Sequence, residues 1–259
     1  MTLASALKTA RMKLTGHSDA PLLDAQRLLQ QVTNHPEVSY FLAHGEEVLS
    51  TKQASAFMAL VSRREKGEPL AYILGHWEWY GRAFQVTPHV LIPRPATENL
   101  IETALPIIKQ LSHQAGRPIT LADIGTGSGC IAITLLLEAS DYIARVYATD
   151  NSEAALHVAQ TNATQHGVAD RIQFVAGNLF EPLVNINIDL IVSNPPYVPA
   201  AELHDRTSIE KRGLAYEPRQ ALDGGADGQD SIKKLRAIGL PMIIEGTHGL
   251  VSTVHIEKK

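Results

Sequence analysis

Four short apolar runs, near 119–124, 144–149, 171–176 and 188–193, alternate with stretches of helical periodicity through the middle of the chain. Strands separated in this way are joined by crossovers rather than tight hairpins, which makes neighbouring strands parallel. The run Ile188-Asp189-Leu190-Ile191-Val192-Ser193 is apolar at successive positions. That is the pattern of a strand buried on both faces. The fold class expected is therefore α/β, with a doubly wound, mostly parallel sheet. Such sheets bind ligands outside the carboxyl ends of their strands, so the residues that follow each run carry the information about chemistry.

After the first run comes Asp123-Ile124-Gly125-Thr126-Gly127-Ser128-Gly129, opening a helix-like stretch over 130–139. Glycines there allow a tight turn and a close approach of a ligand to the main chain. No Gly-Lys-Ser/Thr follows, which excludes a Walker-type phosphate loop. The second run ends in Asp150, about 20 residues past the glycines, where an acid can accept hydrogen bonds from both ribose hydroxyls. Capping of the helix expected over 152–166 is the other role open to Asp150. The fourth run ends in Asn194-Pro195-Pro196-Tyr197. Two prolines remove backbone donors and lock φ, so nearby carbonyls stay free to accept. Asn194 adds a further acceptor and Tyr197 a flat face, a combination suited to holding a planar –NH2 group by both hydrogens. A plain proline-rich turn is the bland alternative.

These two loops together resemble those of class I S-adenosylmethionine-dependent methyltransferases, with a Rossmann-like sheet. Reading outward narrows the resemblance. Pro69-Leu70-Ala71-Tyr72-Ile73-Leu74-Gly75, Gln85-Val86-Thr87-Pro88 and Leu91-Ile92-Pro93-Arg94-Pro95-Ala96-Thr97-Glu98 precede the glycine loop. Glu217-Pro218-Arg219-Gln220-Ala221-Leu222-Asp223-Gly224-Gly225-Ala226-Asp227-Gly228 follows Tyr197. These segments resemble the peptide chain release factor N5-glutamine methyltransferase family, from about the first helix to Gly228. Ala96 stands where that family usually has an acid, Leu179 where an aromatic is frequent, and the similarity fades after about Ile238. The resemblance implies that S-adenosylmethionine is bound by Gly125, Thr126, Gly127, Ser128, Gly129 and Asp150, with Asn178 and Leu179 beside the adenine and Asn194 also in contact. It implies that Asn194, Pro195, Pro196 and Tyr197 bind the substrate, with Asn194, Pro195 and Tyr197 carrying the catalysis. The substrate it implies is the glutamine of the Gly-Gly-Gln motif in class 1 translation release factors.

Composition fits an enzyme of the cytoplasm that is expected to be a monomer. The 259 residues allow one or two domains with a sizeable core. Hydrophobic content is 44%, with no apolar run long enough to span a bilayer. The first 14 residues mix Lys8, Arg11 and Lys13 with helically spaced apolar residues, unlike a signal peptide. A single cysteine excludes an internal disulfide. That residue, Cys130, opens a helix, where its pKa could be lowered; a small packing residue is the other reading. Eleven histidines show no ligand-like spacing, so no metal site is expected. A net charge of −4 and short basic clusters argue against a nucleic-acid substrate.

Residues 1–75 read as a helical substrate-recognition domain, with Leu3, Leu7, Ala10 and Leu14 on one face. Asp19-Ala20-Pro21 is read as the capped start of a second helix, and a third covers 51–66 before Gly67. Residues 76–96 form a linker with a hairpin expected over 76–93, and 97–259 form the methyltransferase domain. The resemblance implies a seven-stranded sheet, yet only 14 residues follow Glu245. With one strand at Met242–Glu245 and another over 250–256, the sheet is expected to lack at least one edge strand. Two other functions stay open: an N6-adenine methyltransferase acting on DNA or RNA, whose loop would grip a base amino group in the same way, and a cofactor-binding protein inactivated by its altered C-terminus. An NAD-dependent oxidoreductase would leave Asn194–Tyr197 without a purpose.

Overall fold

The computed structural model describes residues 1–204, 208, 212–246 and 251–254. The chain divides into two compact units. The first comprises Met1–Gly75 and the described part of Asp205–Tyr216. Its helices are α1 (Leu3–Leu14), α2 (Pro21–Thr33), α3 (Val38–Ala43), α4 (Thr51–Glu65) and α5 (Leu70–Leu74). The face of α1 made by Leu3, Ala6, Leu7, Ala10 and Leu14 packs with Ala25, Leu28 and Leu29 of α2 and with Phe57 and Val61 of α4. The Thr2 hydroxyl caps α1, and Ser50 with Gln53 forms a capping box at α4. Asp19 does not cap α2: Ala20 holds the cap position without a side-chain bond, and Pro21 fills the first turn. Between α2 and α4 the buried Asp24 accepts from Arg64 Nε at 2.7 Å. Tyr216 returns to this unit, its hydroxyl donating to the Lys66 carbonyl at 3.0 Å.

The second unit begins with a hairpin of β1 (His76–Trp79) and β2 (Arg82–Gln85). Tyr80 and Gly81 both take positive φ, 50° and 67°, the turn whose twist matches paired strands. The pairing stops at Gln85 rather than continuing to 93. Pro88 and Pro93 lack the donors a longer ladder would need. Trp79 and Phe84 of the hairpin enter the core of the sheet unit.

The sheet contains β3 (Ile119–Ile124), β4 (Ile143–Asp150), β5 (Ile172–Ala176), β6 (Leu190–Ser193), β7 (Met242–Glu245) and β8 (Val251–Val254), in the order β5-β4-β3-β6-β7-β8. All neighbours are parallel except β7 and β8. Helices α6 (Glu98–Ala115), α7 (Cys130–Glu138), α8 (Glu153–Gln165) and α9 (Asp230–Arg236) cover it. Leu121, Val146 and Val192 join Leu100 and Ile108 of α6 and Ile133 of α7 in one cluster. Ala122, Ile124, Ile191 and Met242 join Ile232 and Leu235 of α9 in another. Successive strand residues are thus buried on opposite faces, which explains why these runs do not alternate with polar residues. This sheet has six strands among the described residues, with β5 and β8 at the edges. The expected shortfall of an edge strand bears on 247–250 and 255–259, which fall outside the described residues.

From β3 the chain builds the sheet outward through β4 and β5 on one side, then crosses to β6 and β7 on the other. The order therefore reverses between β3 and β6. Loops leaving the carboxyl ends on either side of such a reversal open a crevice. The glycine loop follows β3 and Asn194 follows β6, so this crevice is where the two sequence motifs meet.

Candidate active site

The glycine loop is bound to the end of β4 through its backbone. Gly125 and Thr126 N–H groups both donate to the Thr149 carbonyl at 2.9 Å. The Gly127 N–H donates to Asp150 Oδ2 at 3.0 Å. From α8 the buried Asn162 donates to the Ser128 carbonyl at 2.8 Å and also bonds both backbone groups of Gln85. One amide thus sets the glycine loop against the hairpin. A Cβ built on Gly125 or Gly127 would meet nothing within 4 Å, so the turn presents open backbone to a ligand.

Asp150 Oδ1 accepts the Ser152 N–H at 2.9 Å, but the cap of α8 is Ser152. The carboxyl of Asp150 is not consumed by the helix, since a carboxylate offers about four acceptor positions and one of its oxygens already faces the glycine loop. Burial raises its pKa, and the N–H groups of Ser152, Gly127 and Asn151 pull it back. Beneath the loop, Asp123 is fully buried. Its Oδ2 accepts from the Thr126 hydroxyl at 2.7 Å, while Oδ1 has no partner. Burial pushes this carboxyl up to about 7, against the Thr126 hydroxyl and the Ala132 N–H, with Asp150 adding to the rise.

Unfolded carboxyls of this kind lose their protons near pH 4, whereas native Asp123 keeps its own to about 7. The native state therefore binds the extra proton across that window, and stability falls as pH rises through it, by up to ~4 kcal/mol. Asp123→Asn should flatten the fall. Urea unfolding of both cofactor-free proteins at pH 5 and 7.5 measures it, and equal slopes would remove Asp123 as the cause.

At the end of β6, Asn194 Nδ2 donates to Thr97 Oγ1 at 3.0 Å. The loop that follows is clamped by a segment distant in sequence: Val198 N–H donates to Leu222 O at 2.9 Å, Gly224 N–H to Val198 O at 2.9 Å, and Ala200 N–H to Gly225 O at 2.8 Å. Glu217 adds a second tie. It is buried, accepts the Ile92 N–H at 3.2 Å and pairs with Arg94. The two proline-rich segments singled out in the sequence are therefore cross-braced around one opening.

That opening is a cavity of about 410 Å³, within the range of small-molecule sites. Its walls include Gly125, Thr126, Gly127, Ser128, Asp150, Asn178, Leu179, Asn194 and Pro196. Gly129, Pro195 and Tyr197 are not on the wall. Gly129 turns inward, where Ala159 lies 3.1 Å from the position a Cβ would take. Pro195 is buried. Tyr197 packs on the Ile191–Met242 cluster and donates its hydroxyl to Glu245 Oε1 at 3.4 Å, and burial lifts its pKa to about 12. Leu179 takes φ 47°, a conformation costly for a non-glycine residue, with its carbonyl held by the Thr149 hydroxyl at 3.1 Å. Cys130 also lines the cavity. Despite its place at a helix start, burial pushes its thiol up to about 12.

Sequence reading assigned no role to Thr97, Glu217 or Glu245. Glu245 had a usable signal: an acid ending the apolar run Met242-Ile243-Ile244, at a strand's carboxyl end like Asp150 and Asn194.

Comparison with known proteins shows the family of the chain. The family model described as the PrmC N-terminal domain matches residues 5–75, and that of the methyltransferase small domain matches 102–226. A release factor glutamine methyltransferase of Coxiella burnetii is 39% identical over 233 residues, covering 90% of this chain and 79% of the relative. Counterparts of Nitratidesulfovibrio vulgaris and Moorella thermoacetica are each 41% identical, over 88% and 91% of this chain and 74% and 79% of their own lengths. The chain belongs to the release factor glutamine methyltransferase family. As a release factor glutamine methyltransferase by family, it is an enzyme that uses S-adenosylmethionine. The open backbone at Gly125 and Gly127 and the Asp150 carboxyl on the cavity wall suit a nucleoside cofactor. Among the described residues no helix is long and apolar enough to cross a membrane.

Proposed function

We propose that the chain transfers a methyl group from S-adenosylmethionine to the side-chain amide nitrogen of the glutamine in the Gly-Gly-Gln motif of class 1 release factors. The observation that carries this reading is Asn194. Its Nδ2 is occupied by Thr97, so Oδ1 is the atom left to accept at the cavity wall. S-adenosylmethionine supplies a methyl already activated on a sulfonium. The glycine loop would hold the methionine part, Asp150 the ribose hydroxyls, and Asn178 and Leu179 would border the adenine.

The difficulty lies in the acceptor, because an amide nitrogen shares its lone pair with the carbonyl. Asn194 Oδ1 takes one amide hydrogen in this reading, aiming the nitrogen along the transfer axis, while Pro195, buried behind it, holds the loop rigid. Orientation of two reactants can contribute up to ~7–11 kcal/mol. Acceptors fixed where positive charge develops on nitrogen stabilise the transition state further. Tyr197 supports the loop from behind, through its ring packing and its bond to Glu245. A proton lost to water after transfer completes the reaction, and the acceptor is a protein rather than a nucleic acid.

Radiolabelled methyl transfer tests this. Purified release factor should be labelled on its Gly-Gly-Gln glutamine, a factor with that glutamine changed to alanine should not, and DNA or RNA oligonucleotides should stay unlabelled. Label on adenine would replace this reading with a nucleic-acid methyltransferase. In the same preparation, Asp150→Ala should weaken cofactor binding by ~1.5–3 kcal/mol, the worth of hydrogen bonds to an ionised acceptor. Unchanged calorimetric affinity would take Asp150 out of the cofactor site.

A further inference from the structure

S-adenosylmethionine carries an ammonium and a sulfonium, and one anionic group, the α-carboxylate. The glycine loop is a poor host for that anion. Its Gly125 and Thr126 N–H groups are spent on the Thr149 carbonyl, that of Gly127 on Asp150 Oδ2 and that of Gly129 on the Thr126 carbonyl. They therefore do not converge on a ligand as an anion-binding nest requires. The carboxyls of Asp123 and Asp150 stand beside the same loop and would repel a third. Among the described residues the cavity wall carries only one arginine or lysine, Arg94.

Arg94 is held firmly. It lies between Pro93 and Pro95, and a residue before proline is confined to extended backbone, as its φ of −95° and ψ of 144° show. Its carbonyl accepts from Trp79 Nε1 at 2.8 Å and from the Thr97 N–H at 3.0 Å. The side chain is 29% exposed, whereas that of its partner Glu217 is 3% exposed. Glu217 takes Arg94 Nη2 on Oε1 and the Ile92 N–H on Oε2, so both of its oxygens are engaged. Among the described residues, Nε and Nη1 of Arg94 have no hydrogen-bond partner.

We propose that Arg94 binds the α-carboxylate of S-adenosylmethionine with the donors that Glu217 leaves free, and that Glu217 is the positioning residue that holds the guanidinium at the wall. A guanidinium stays charged at any working pH and matches a carboxylate as a planar fork, which a lysine ammonium does not. The methyl-accepting glutamine brings only neutral groups to the cavity, so the cofactor is the ligand that this charge selects. Acids beside the glycine loop and a cation on Arg94 then orient the amino-acid part of the cofactor from both of its charged groups.

The inference rests on this cavity being the cofactor site, and the choice of ligands separates the two. Calorimetry compares S-adenosylhomocysteine, which keeps the carboxylate, with its decarboxylated analogue, which keeps the nucleoside and the ammonium. The unmodified protein should bind the analogue ~10- to 100-fold more weakly, as loss of charge-assisted hydrogen bonds predicts. Arg94→Met should weaken S-adenosylhomocysteine by a similar factor and leave the analogue within about threefold, so that the variant no longer distinguishes the two ligands. Arg94→Lys, with the charge but not the fork, should fall between. Glu217→Gln should also narrow the difference between the ligands, whereas a purely structural brace would weaken both alike. Equal loss of both ligands in Arg94→Met would overturn the proposal, and so would unchanged affinity for both. In the second case a raised KM for release factor would assign the guanidinium to the acceptor instead. If Arg94→Met and Asp150→Ala both bind S-adenosylhomocysteine as the unmodified protein does, the cofactor lies outside this cavity and the underlying reading fails. Should Arg94→Met not fold with Glu217 left unpaired, combining it with Glu217→Gln removes the buried charge, and the same comparison decides.

Discussion

Asn194→Ala should slow methyl transfer ~100-fold or more, with a much smaller effect on cofactor affinity. The residue directly follows a strand buried on both faces, which β3 holds on one side and β7 on the other. Removing the side chain deletes an oxygen at the cavity wall and leaves the sheet intact. The loss should therefore appear in the chemical step and not in unfolding. Single-turnover rates with saturating cofactor isolate that step, and circular dichroism confirms the fold. A variant within about threefold of the unmodified rate would exclude the oxygen as an acceptor for the substrate amide.

Gly228→Ala should be nearly as damaging, though Gly228 touches neither ligand in the proposed reaction. A Cβ there would lie 2.4 Å from the Tyr197 carbonyl oxygen, and Gly228 has φ 73°. The conformation alone costs ~1–2 kcal/mol for an L-residue. The contact is with backbone, so the Asn194–Tyr197 loop must move to relieve it. A displacement near 1 Å can cost ~100-fold in rate. Gly239 supplies the control, with φ 76° and nothing within 4 Å of its Cβ position. Gly239→Ala should lose similar stability yet keep its activity. Equal activity in the two variants would show that the 222–228 segment does not hold the acceptor loop in place.

Much of this site was visible in the sequence because it is assembled from strand ends. Each of Asp150, Asn194 and the glycine loop follows an apolar run by one residue or a few, so a local window shows both the strand and the group it presents. Thr97, Glu217 and Glu245 escaped the same reading for a physical reason. Their roles come from partners 48 to 125 residues away, brought near by strand order and by the cross-brace of Glu217 to Arg94. The sequence shows each of these residues but not which neighbours the sheet will give it. Helices α3 and α5 went unnoticed because six and five residues are too few to display a period. The hairpin was drawn too long because alternation continued past the point where the prolines end pairing. Tyr197 illustrates a different limit. Its position in the loop was plain, but only the packing of β7 beside β6 shows that its ring turns away from the cavity and into the core.

The burial of Cys130 has a consequence for an enzyme whose cofactor carries an electrophilic methyl. A thiolate is among the strongest nucleophiles a protein can offer, and this chain's single sulfhydryl lines the same cavity. Burial pushes this thiol up to about 12, which keeps it protonated at neutral pH. The buried environment therefore guards the enzyme against alkylating itself, and methyl groups are kept for the intended acceptor.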